Sequence, residues 1–378
     1  PFELDAAMTR PDHIALVISS LQGGGAERVA TTIAGEFVDR GIRVTLVTLL
    51  APTHDFYPVP LGVERVALDL GGYRPGFARA VQRNLRRLSS ITDTLRQLAP
   101  DLVISFMDAT NVLSILACQR LRLPVVVSQR IDPIRQDDGP AWRILRRLCY
   151  PLADHVVSIS HGIDRSFDWI PRSRRTVIHN PHVPRPAVDA SAPLPEGLTP
   201  GRFAVGIGRL TRQKGFDLLL QSFGRVAEQT DWSLAIVGEG EDRAALERQR
   251  DQLGLRDRVV FTGLLADPFG LLRQSGLFVL SSRYEGFGNV ILEAMDAGVP
   301  VVATDCPSGP AEIIRDGEDG WLVPAEDIDA LATTLKTVIE DPEERRRRVA
   351  RATDHVRRFG LRHHMERWDD VFSTVLGA

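Results

Sequence analysis

The sequence predicts an α/β protein with two Rossmann-like domains, and three observations support this prediction. Short, nearly continuous apolar runs alternate with longer amphipathic stretches, which is typical of parallel strands covered by helices. The alternation stops in a proline-rich stretch and then restarts. The chain has 378 residues, more than one hydrophobic core usually organises. We therefore expect an N-terminal domain (1–182), a linker (183–200), a C-terminal domain (201–358) and a final helix (359–378) that packs back on the N-terminal domain.

Each half supplies its own set of elements. In the first half, strands are expected at residues 13–19, 44–50, 101–106, 125–128, 155–160 and 177–179, with helices at 26–40, 76–98 and 111–121. In the second half, strands are expected at 203–207, 234–237, 259–261, 277–280, 301–303 and 321–323, with helices at 215–229, 242–253 and 289–297 and a long helical tract from Asp327. Ligands of such sheets bind beyond the carboxyl ends of the strands, so the residues that follow each strand are the first candidates for a site.

Composition excludes several classes of protein. With 43% hydrophobic and 25% charged residues, the chain is globular, and no apolar run is long enough to span a membrane. No basic segment followed by an apolar run marks a signal peptide, so we expect a cytoplasmic protein. The net charge of −3 argues against a nucleic-acid binder. Cys118, Cys149 and Cys306 fit neither a disulfide framework nor a zinc site.

A glycine-rich loop follows the first predicted strand. Gly23, Gly24 and Gly25 open a helix there, and consecutive glycines allow close approach of a ligand whose anionic group the helix N-terminus favours. The spacing is not that of a dinucleotide fingerprint, and a simple turn is the alternative.

Two cations follow the first strand of the second half, in the sequence GRLTRQKG. Arg209 leaves the strand and Lys214, one of two lysines in the chain, stands before the next helix. Such a pair can hold a diphosphate and stabilise the charge of a departing nucleotide. Two solvated surface cations are the alternative. No Walker P-loop is present.

Two glutamates, Glu285 and Glu293, frame a glycine-containing turn in EGFGNVILE. The turn would expose backbone amides to a phosphate, and a carboxylate accepts hydrogen bonds from vicinal sugar hydroxyls. For an isolated motif, a helix-dipole interaction and a solvated side chain would be the preferred explanation.

Together these motifs resemble the GT-B glycosyltransferases, and within them the large retaining family 4. The Glu-x7-Glu block is accompanied, in order, by the glycine-rich loop, GRLTRQKG, VGEGEDR, FTG and SGPAEIIRDGEDGWLVP. The resemblance implies two Rossmann-like domains with parallel sheets that face each other across a cleft. It also implies a nucleotide-sugar substrate, no metal and no other cofactor.

The resemblance further assigns roles to single residues. Arg209 and Lys214 would hold the diphosphate, Glu293 would bind the ribose and Glu285 would orient the donor sugar, so that Glu285, Arg209 and Lys214 are the catalytic candidates. The other donor-binding candidates are Gly24, Gly25, Gly238, Leu264, Phe287, Gly288, Asn289 and Val290.

The acceptor side departs from the family pattern. Many relatives carry a histidine after the fourth strand, where this chain reads SFMDATN. Asp108 and Asn111 are the polar substitutes, with Asp108 a further catalytic candidate, and Arg130 and His161 are additional acceptor candidates. A structural or helix-capping role is the alternative for His161.

Two helical stretches of the first half are basic and amphipathic. One carries Arg79, Arg83, Arg86 and Arg87, and the other carries Arg143, Arg146 and Arg147. They are either solvated faces or contacts to anionic headgroups and a lipid diphosphate; Arg79, Arg83 and Arg86 are the acceptor candidates. SLQGGGAERV and SFMDATN are similar to enzymes that add N-acetylgalactosamine-type sugars to polyprenyl-diphosphate-linked glycans. This similarity implies a peripheral enzyme on the cytoplasmic leaflet.

The predicted reaction transfers a hexose or N-acetylhexosamine, with UDP as the favoured carrier, to an acceptor hydroxyl with retention. A GDP-mannose-dependent transferase, a UDP-sugar 2-epimerase and a non-catalytic nucleotide-sugar-binding protein remain alternatives. A dinucleotide dehydrogenase is disfavoured because the fingerprint is missing.

Overall fold

The computed structural model describes residues 10–71, 77–135, 139–184, 193–265 and 267–377. Contacts between Cα atoms divide the chain into two compact units. The N-terminal unit comprises residues 1–181 and 362–378, and the C-terminal unit comprises residues 182–361. Residues 185–192 of the predicted linker lie outside the described residues.

Within the described residues, the N-terminal unit holds a parallel sheet of seven strands in the order β3-β2-β1-β4-β5-β6-β7. The strands are β1 (His13–Ile18), β2 (Arg43–Thr48), β3 (Glu64–Ala67), β4 (Leu102–Phe106), β5 (Val125–Gln129), β6 (His155–Ser158) and β7 (Arg175–Val177). The helices between them are α1 (Gly25–Asp39), α2 (Phe77–Leu98), α3 (Asp108–Leu121), α4 (Pro140–Cys149) and α5 (His161–Arg165). The strand order reverses between β1 and β4, which creates the crevice typical of doubly wound sheets.

The C-terminal unit repeats this plan with a parallel sheet in the order β10-β9-β8-β11-β12-β13, again counted over the described part of the chain. Its strands are β8 (Phe203–Ile207), β9 (Ser233–Val237), β10 (Val259–Gly263), β11 (Leu277–Leu280), β12 (Val301–Asp305) and β13 (Trp321–Pro324). The helices are α6 (Phe216–Ala227), α7 (Arg243–Gln252), α8 (Pro268–Gln274), α9 (Asn289–Asp296), α10 (Pro310–Ile313), α11 (Ile328–Glu340) and α12 (Pro342–His355). Here the order reverses between β8 and β11.

The predicted fold class, two Rossmann-like domains, is confirmed. One strand, β3, was missed by the sequence analysis, because it lies at the edge of its sheet and none of its residues is buried. The predicted helical tract from Asp327 is divided into separate helices. The tract breaks at Asp341, whose carboxylate caps α12 by accepting from the amides of Glu343 and Glu344, and Pro342 begins that helix.

The last helix, α13 (Leu361–Leu376), belongs to the N-terminal unit. Trp368 packs edge-on against Phe37 of α1, and Asp369 forms ion pairs with Arg10 and Arg40. The pKa of His364 is lowered to about 3 by burial. Trp368 donates its indole hydrogen to His364 Nε2, so His364 Nδ1 carries the proton and donates to the carbonyl of His179. These contacts anchor α13.

The three cysteines are free and buried, in line with the expectation of no disulfide framework. Burial raises the pKa of the Cys118 and Cys306 thiols to about 12, with a contribution from a nearby carboxylate in each case. Among the described helices, none is long and apolar enough to cross a membrane.

Candidate active site

The densest group of predicted site residues lies at the switch point of the C-terminal sheet. Because β8 and β11 are adjacent parallel strands, the loops that follow them meet at the carboxyl edge. One loop carries Arg209 and Lys214, and the other carries Glu285. Each loop leads into a helix, α6 and α9 respectively, so two helix N-termini are found at this edge.

Lys214 and Glu285 form a direct ion pair. Lys214 Nζ lies 2.6 Å from Glu285 Oε1, and the two side chains are 15% and 7% exposed. The same carboxylate oxygen accepts a hydrogen bond of 2.6 Å from the Ser282 hydroxyl. Two predicted site residues that are 71 positions apart in sequence are therefore brought together in one charged, largely buried centre.

Backbone contacts hold the two loops in register. The Ser281 hydroxyl donates to the carbonyl of Lys214 at 3.0 Å. Gly215 has a φ of +63°, and a Cβ added there would lie 2.1 Å from the carbonyl oxygen of Ser281. The site thus requires glycine at position 215 for both backbone conformation and space.

A second ion pair, which the sequence analysis missed, joins Arg283 to Asp217, just after the loop that carries Lys214. The Arg283 guanidinium binds both carboxylate oxygens of Asp217, at 2.8 and 2.7 Å, and donates to the carbonyl of Arg212 at 2.8 Å. Burial opposes ionisation of Asp217, but the hydrogen bonds and charge of Arg283 lower the pKa of that carboxyl. No motif signals this pair, because charged residues at loop ends are usually solvated.

The turn after Glu285 is fixed from the other side. The Ser308 hydroxyl donates to the carbonyl of Glu285. The Phe287 ring is buried against Phe359, so Phe287 offers only its backbone to a ligand. Gly288, at a φ of +98°, leads into α9, whose first turn contains Asn289 and Val290 and whose fifth residue is the half-buried Glu293. First-turn amides of a helix favour an anion.

An open pocket of about 140 Å³ adjoins this centre. It is lined by three predicted donor residues and six others: Arg209, Gly238, Leu264, Ile207, Gly208, Val237, Glu239, Leu265 and Pro268. Leu264 is 79% exposed, and a Cβ on Gly238 would lie 2.0 Å from the carbonyl oxygen of Gly208. The Lys214 side chain runs past Gly208, so the pocket and the ion pair are contiguous. The mostly apolar lining suits a nucleobase. Of the six lining residues that the sequence analysis did not single out, Glu239 lies in the motif VGEGEDR.

The switch point of the N-terminal sheet holds a different set of contacts. Gly24 caps the start of α1, and Gly25 is its first residue. After β4, Met107 has a φ of +76°, an uncommon conformation for a residue other than glycine, and it precedes Asp108 at the start of α3.

Asp108 and Asn111 belong to one buried hydrogen-bond network. Asp108 accepts from Arg146 at 2.6 Å and lies 3.2 Å from the Tyr150 hydroxyl. Asn111 donates to that hydroxyl, which in turn lies 2.7 Å from Gln129 Oε1. Burial and the nearby Asp108 charge raise the pKa of Tyr150, so the phenol stays protonated. Arg146, predicted as part of a basic stripe, therefore binds Asp108.

Of the other acceptor candidates, Arg130 and His161 both contact the segment 179–180, whereas Arg79, Arg83 and Arg86 lie on α2. Arg130 is buried, donates to Asn180 at 2.6 Å and stacks over Phe106, and burial lowers its pKa to about 9. His161 starts α5, and its ring lies 5.7 Å from that of His179. Arg79 and Arg86 are exposed on α2, with Arg83 half-buried.

Comparisons with known proteins find glycosyltransferases, the class that the sequence motifs resemble. The chain is 26% identical over 368 residues to a Campylobacter jejuni protein, "GalNAc-alpha-(1->4)-GalNAc-alpha-(1->3)-diNAcBac-PP-undecaprenol alpha-1,4-N-acetyl-D-galactosaminyltransferase", covering 97% of this chain and 99% of that one. It is also 26% identical to the amylovoran biosynthesis glycosyltransferase AmsD of Erwinia amylovora, covering 93% and 96% of the two chains. The fold is similar to that of Anabaena Alr3699/HepE, solved with UDP, with a TM-score of 0.76, 21% identity and coverage of 96% and 100%.

Fold, site and relatives together define a GT-B glycosyltransferase. A family model described as Glycosyltransferase Family 4 matches residues 23–183, and one described as Glycosyl transferases group 1 matches residues 197–355. The predicted resemblance to GT-B glycosyltransferases and the predicted enzyme class are confirmed.

Proposed function

We propose that this enzyme transfers a hexose or N-acetylhexosamine from UDP to a hydroxyl of a lipid-linked or polysaccharide glycan, with retention at the anomeric carbon. The observation that carries the proposal is the buried Lys214–Glu285 pair beside the pocket at the switch point of the C-terminal sheet. A cation and a helix N-terminus there match the diphosphate of a nucleotide-sugar, and a carboxylate matches its sugar hydroxyls.

The pocket would receive the base over Leu264 and Gly238, while Glu293 would bind the ribose. Arg209, Lys214 and the first turn of α9 would then hold the diphosphate. In this arrangement Lys214 would exchange part of its contact with Glu285 for a phosphate oxygen. Glu285 would accept from the sugar hydroxyls in return, so neither charge would lose its partner.

The reaction breaks the bond between the anomeric carbon and the phosphate oxygen, and the acceptor oxygen forms the new bond. Negative charge develops on the departing diphosphate, where Lys214 and Arg209 would stabilise it more strongly in the transition state than in the ground state. The proton of the acceptor hydroxyl would pass to the leaving phosphate, which agrees with attack on the same face and retention.

Relatives guide the choice of substrates. The Campylobacter relative is named for an undecaprenol-diphosphate-linked acceptor, and the Erwinia relative for a polysaccharide. A neighbour of the same fold was solved with UDP. We therefore propose a UDP-sugar as donor and a lipid-diphosphate-linked or polysaccharide glycan as acceptor, with Arg79, Arg83 and Arg86 near an anionic acceptor group. An enzyme with such an acceptor would work at the cytoplasmic membrane surface.

The test is a panel of UDP- and GDP-sugars assayed by nucleotide release with and without glycan acceptors, using wild-type enzyme and Lys214→Ala. We expect acceptor-dependent UDP release, which Lys214→Ala lowers about 10²–10³-fold, the usual effect of removing one charge-stabilising donor. Lys336→Ala, which removes the exposed second lysine, should leave turnover unchanged.

Each other outcome points to a rival function. GDP release with mannose transfer would identify a GDP-mannose-dependent enzyme. UDP release without acceptor and with an altered sugar would favour a 2-epimerase. Tight UDP-sugar binding with no turnover on any acceptor would indicate a binding protein. Equal loss of activity in Lys214→Ala and Lys336→Ala would contradict the proposed role of the ion pair.

A further inference from the structure

The helices α2, α3 and α4 cover one face of the N-terminal sheet. The connections β3–β4, β4–β5 and β5–β6 all step in the same direction across the sheet, and right-handed crossovers place their helices on the same side. Both α2 and α4 pack on α3. The outward surfaces of α2 and α4 therefore belong to one face of the unit.

The outward surface of α4 is apolar. Ala141, Ile144, Leu145 and Leu148 follow the i, i+3, i+4, i+7 spacing of one helical stripe, and all four are exposed. Ile144 is 60% and Leu148 is 64% exposed. Such a stripe normally faces a core, and here the inward position is taken by Arg146, which binds Asp108.

The stripe continues beyond the helix. Leu152 follows α4 and is 46% exposed, and Ile134 is 74% exposed in a loop whose Pro133 carbonyl accepts from Arg146. On α2, Val81 and Leu85 form a second exposed pair at i, i+4. Exposed apolar side chains grouped on one face of a unit mark an interaction surface.

The charge around these side chains identifies the partner. The sequence of α4 contains three arginines and no acidic residue, and α2 contains four arginines before its first acidic residue, Asp93. Arg143 and Arg147 flank the α4 stripe one turn apart, with Arg147 stacked on Trp169. Arginine beside aliphatic side chains on an exposed helix suits an interface of hydrocarbon and anionic headgroups. A second copy of this chain would place arginine against arginine, because a two-fold contact pairs the same surface with itself.

We propose that the outer face of α2 and α4 docks on an anionic phospholipid bilayer, with Ile144 and Leu148 inserted at the level of the headgroups. This inference extends the proposed function, since a lipid-carried acceptor would then be met at the same surface. Docking is nevertheless a property that can be measured without donor, acceptor or turnover.

The experiment is co-flotation of the full chain with vesicles of phosphatidylcholine alone and of phosphatidylcholine with 30% phosphatidylglycerol, at low and high salt. The double variant Ile144→Ser/Leu148→Ser removes the centre of the stripe, and both positions are exposed enough that folding should be retained. The control is Leu61→Ser, which removes a 99% exposed leucine from another part of the same unit.

We expect wild type and Leu61→Ser to bind the anionic vesicles with partial loss at high salt, and the double variant to bind at least tenfold more weakly. Turnover of the double variant on a water-soluble acceptor should stay within twofold of wild type. Absence of wild-type binding to anionic vesicles, or equal binding by the double variant, would overturn the proposal. A dimer in light scattering that the double variant converts to monomer would assign the surface to a second copy instead. Failure of the proposed function would appear separately, as absent UDP release with normal vesicle binding.

Discussion

The two units share the same doubly wound topology, but the side chains at their switch points differ. In the C-terminal unit, the loops after β8 and β11 bring a lysine and a glutamate together beside an open pocket. In the N-terminal unit, the corresponding strands, β1 and β4, lead to a glycine loop and to Asp108, whose carboxylate is bound by Arg146 and Tyr150. The comparison shows that one sheet edge presents a charged pair beside an open pocket, whereas the Asp108 carboxylate at the other is engaged within the protein.

The largest expected effect on UDP binding concerns the close approach at Gly215. Gly215→Ala places a Cβ 2.1 Å from the Ser281 carbonyl oxygen at a φ of +63°, so the two loops must separate. We expect UDP affinity to fall at least tenfold, measured by calorimetric titration, with a lower melting temperature. Gly254→Ala is the matched control, because its φ of +69° is similar but nothing lies within 4 Å of the added Cβ. The control should lose about 1 kcal/mol of stability and keep its UDP affinity. Equal UDP affinity in both variants would show that loop contact does not organise the site.

The second prediction asks whether Asp108 is structural or catalytic. Asp108→Asn leaves Arg146 without its buried counter-charge, and breaking such a pair typically costs about 3 kcal/mol in the free energy of unfolding. The double variant Asp108→Asn/Arg146→Met removes both charges. If Asp108 is structural, denaturant unfolding and acceptor-dependent turnover should both recover in the double variant. Recovered stability with turnover still lost would make Asp108 a member of the reaction centre, as the sequence predicts.

A fall in pH is expected to destabilise the N-terminal unit. Burial, with a smaller contribution from Arg174, lowers the pKa of His155 to about 4, and both His155 and His364 lie in the N-terminal unit. Their ordinary pKa is near 6.5, so below that value the unfolded chain binds protons that the folded chain does not. Each histidine should therefore remove about 1.4 kcal/mol of stability per pH unit as pH falls from 6.5 towards 4.

Urea unfolding between pH 7 and pH 4.5 measures this slope. His155→Gln, which can keep a hydrogen bond to Thr176, should flatten it, and His363→Gln, which changes a largely exposed histidine, should not. An unchanged slope in His155→Gln would contradict the assignment.

The smallest expected effect is that of chelation. Because Glu285 is already bound to Lys214 and Ser282, and because cations and a helix N-terminus are available for the diphosphate, we predict that EDTA changes turnover less than twofold. Activity lost in EDTA and restored by Mg²⁺ or Mn²⁺ would reverse the prediction that no metal is needed.

A feature could be predicted from the sequence when the residues that form it follow a recognisable local pattern. Apart from β3, the strands of both sheets were visible as apolar runs, and the meeting of Lys214 with Glu285 could be anticipated because both follow strands of a parallel sheet. The Arg283–Asp217 ion pair could not be predicted, since neither residue stands in a pattern that distinguishes a buried pair from solvated charges.

The basic residues show the same limit. A run of four arginines such as residues 345–348 is usually solvated, but Arg345 stacks on Trp232 and Arg348 on Trp321, so only part of that run faces solvent. In α4, periodicity gave an amphipathic helix, but the choice of inward face depended on Asp108, which lies on a different helix. Sequence patterns specify the apolar and polar faces of a helix, and tertiary contacts decide which face is buried.

The burial of all three cysteines has a practical consequence. With their thiols enclosed and protonated, Cys118, Cys149 and Cys306 should react slowly with maleimides at neutral pH. A single cysteine introduced at Leu148 or Leu264 would then be the preferred site for a spectroscopic probe in an otherwise native chain. Fluorophores at these two positions would report separately on lipid contact and on nucleotide entry during one reaction cycle.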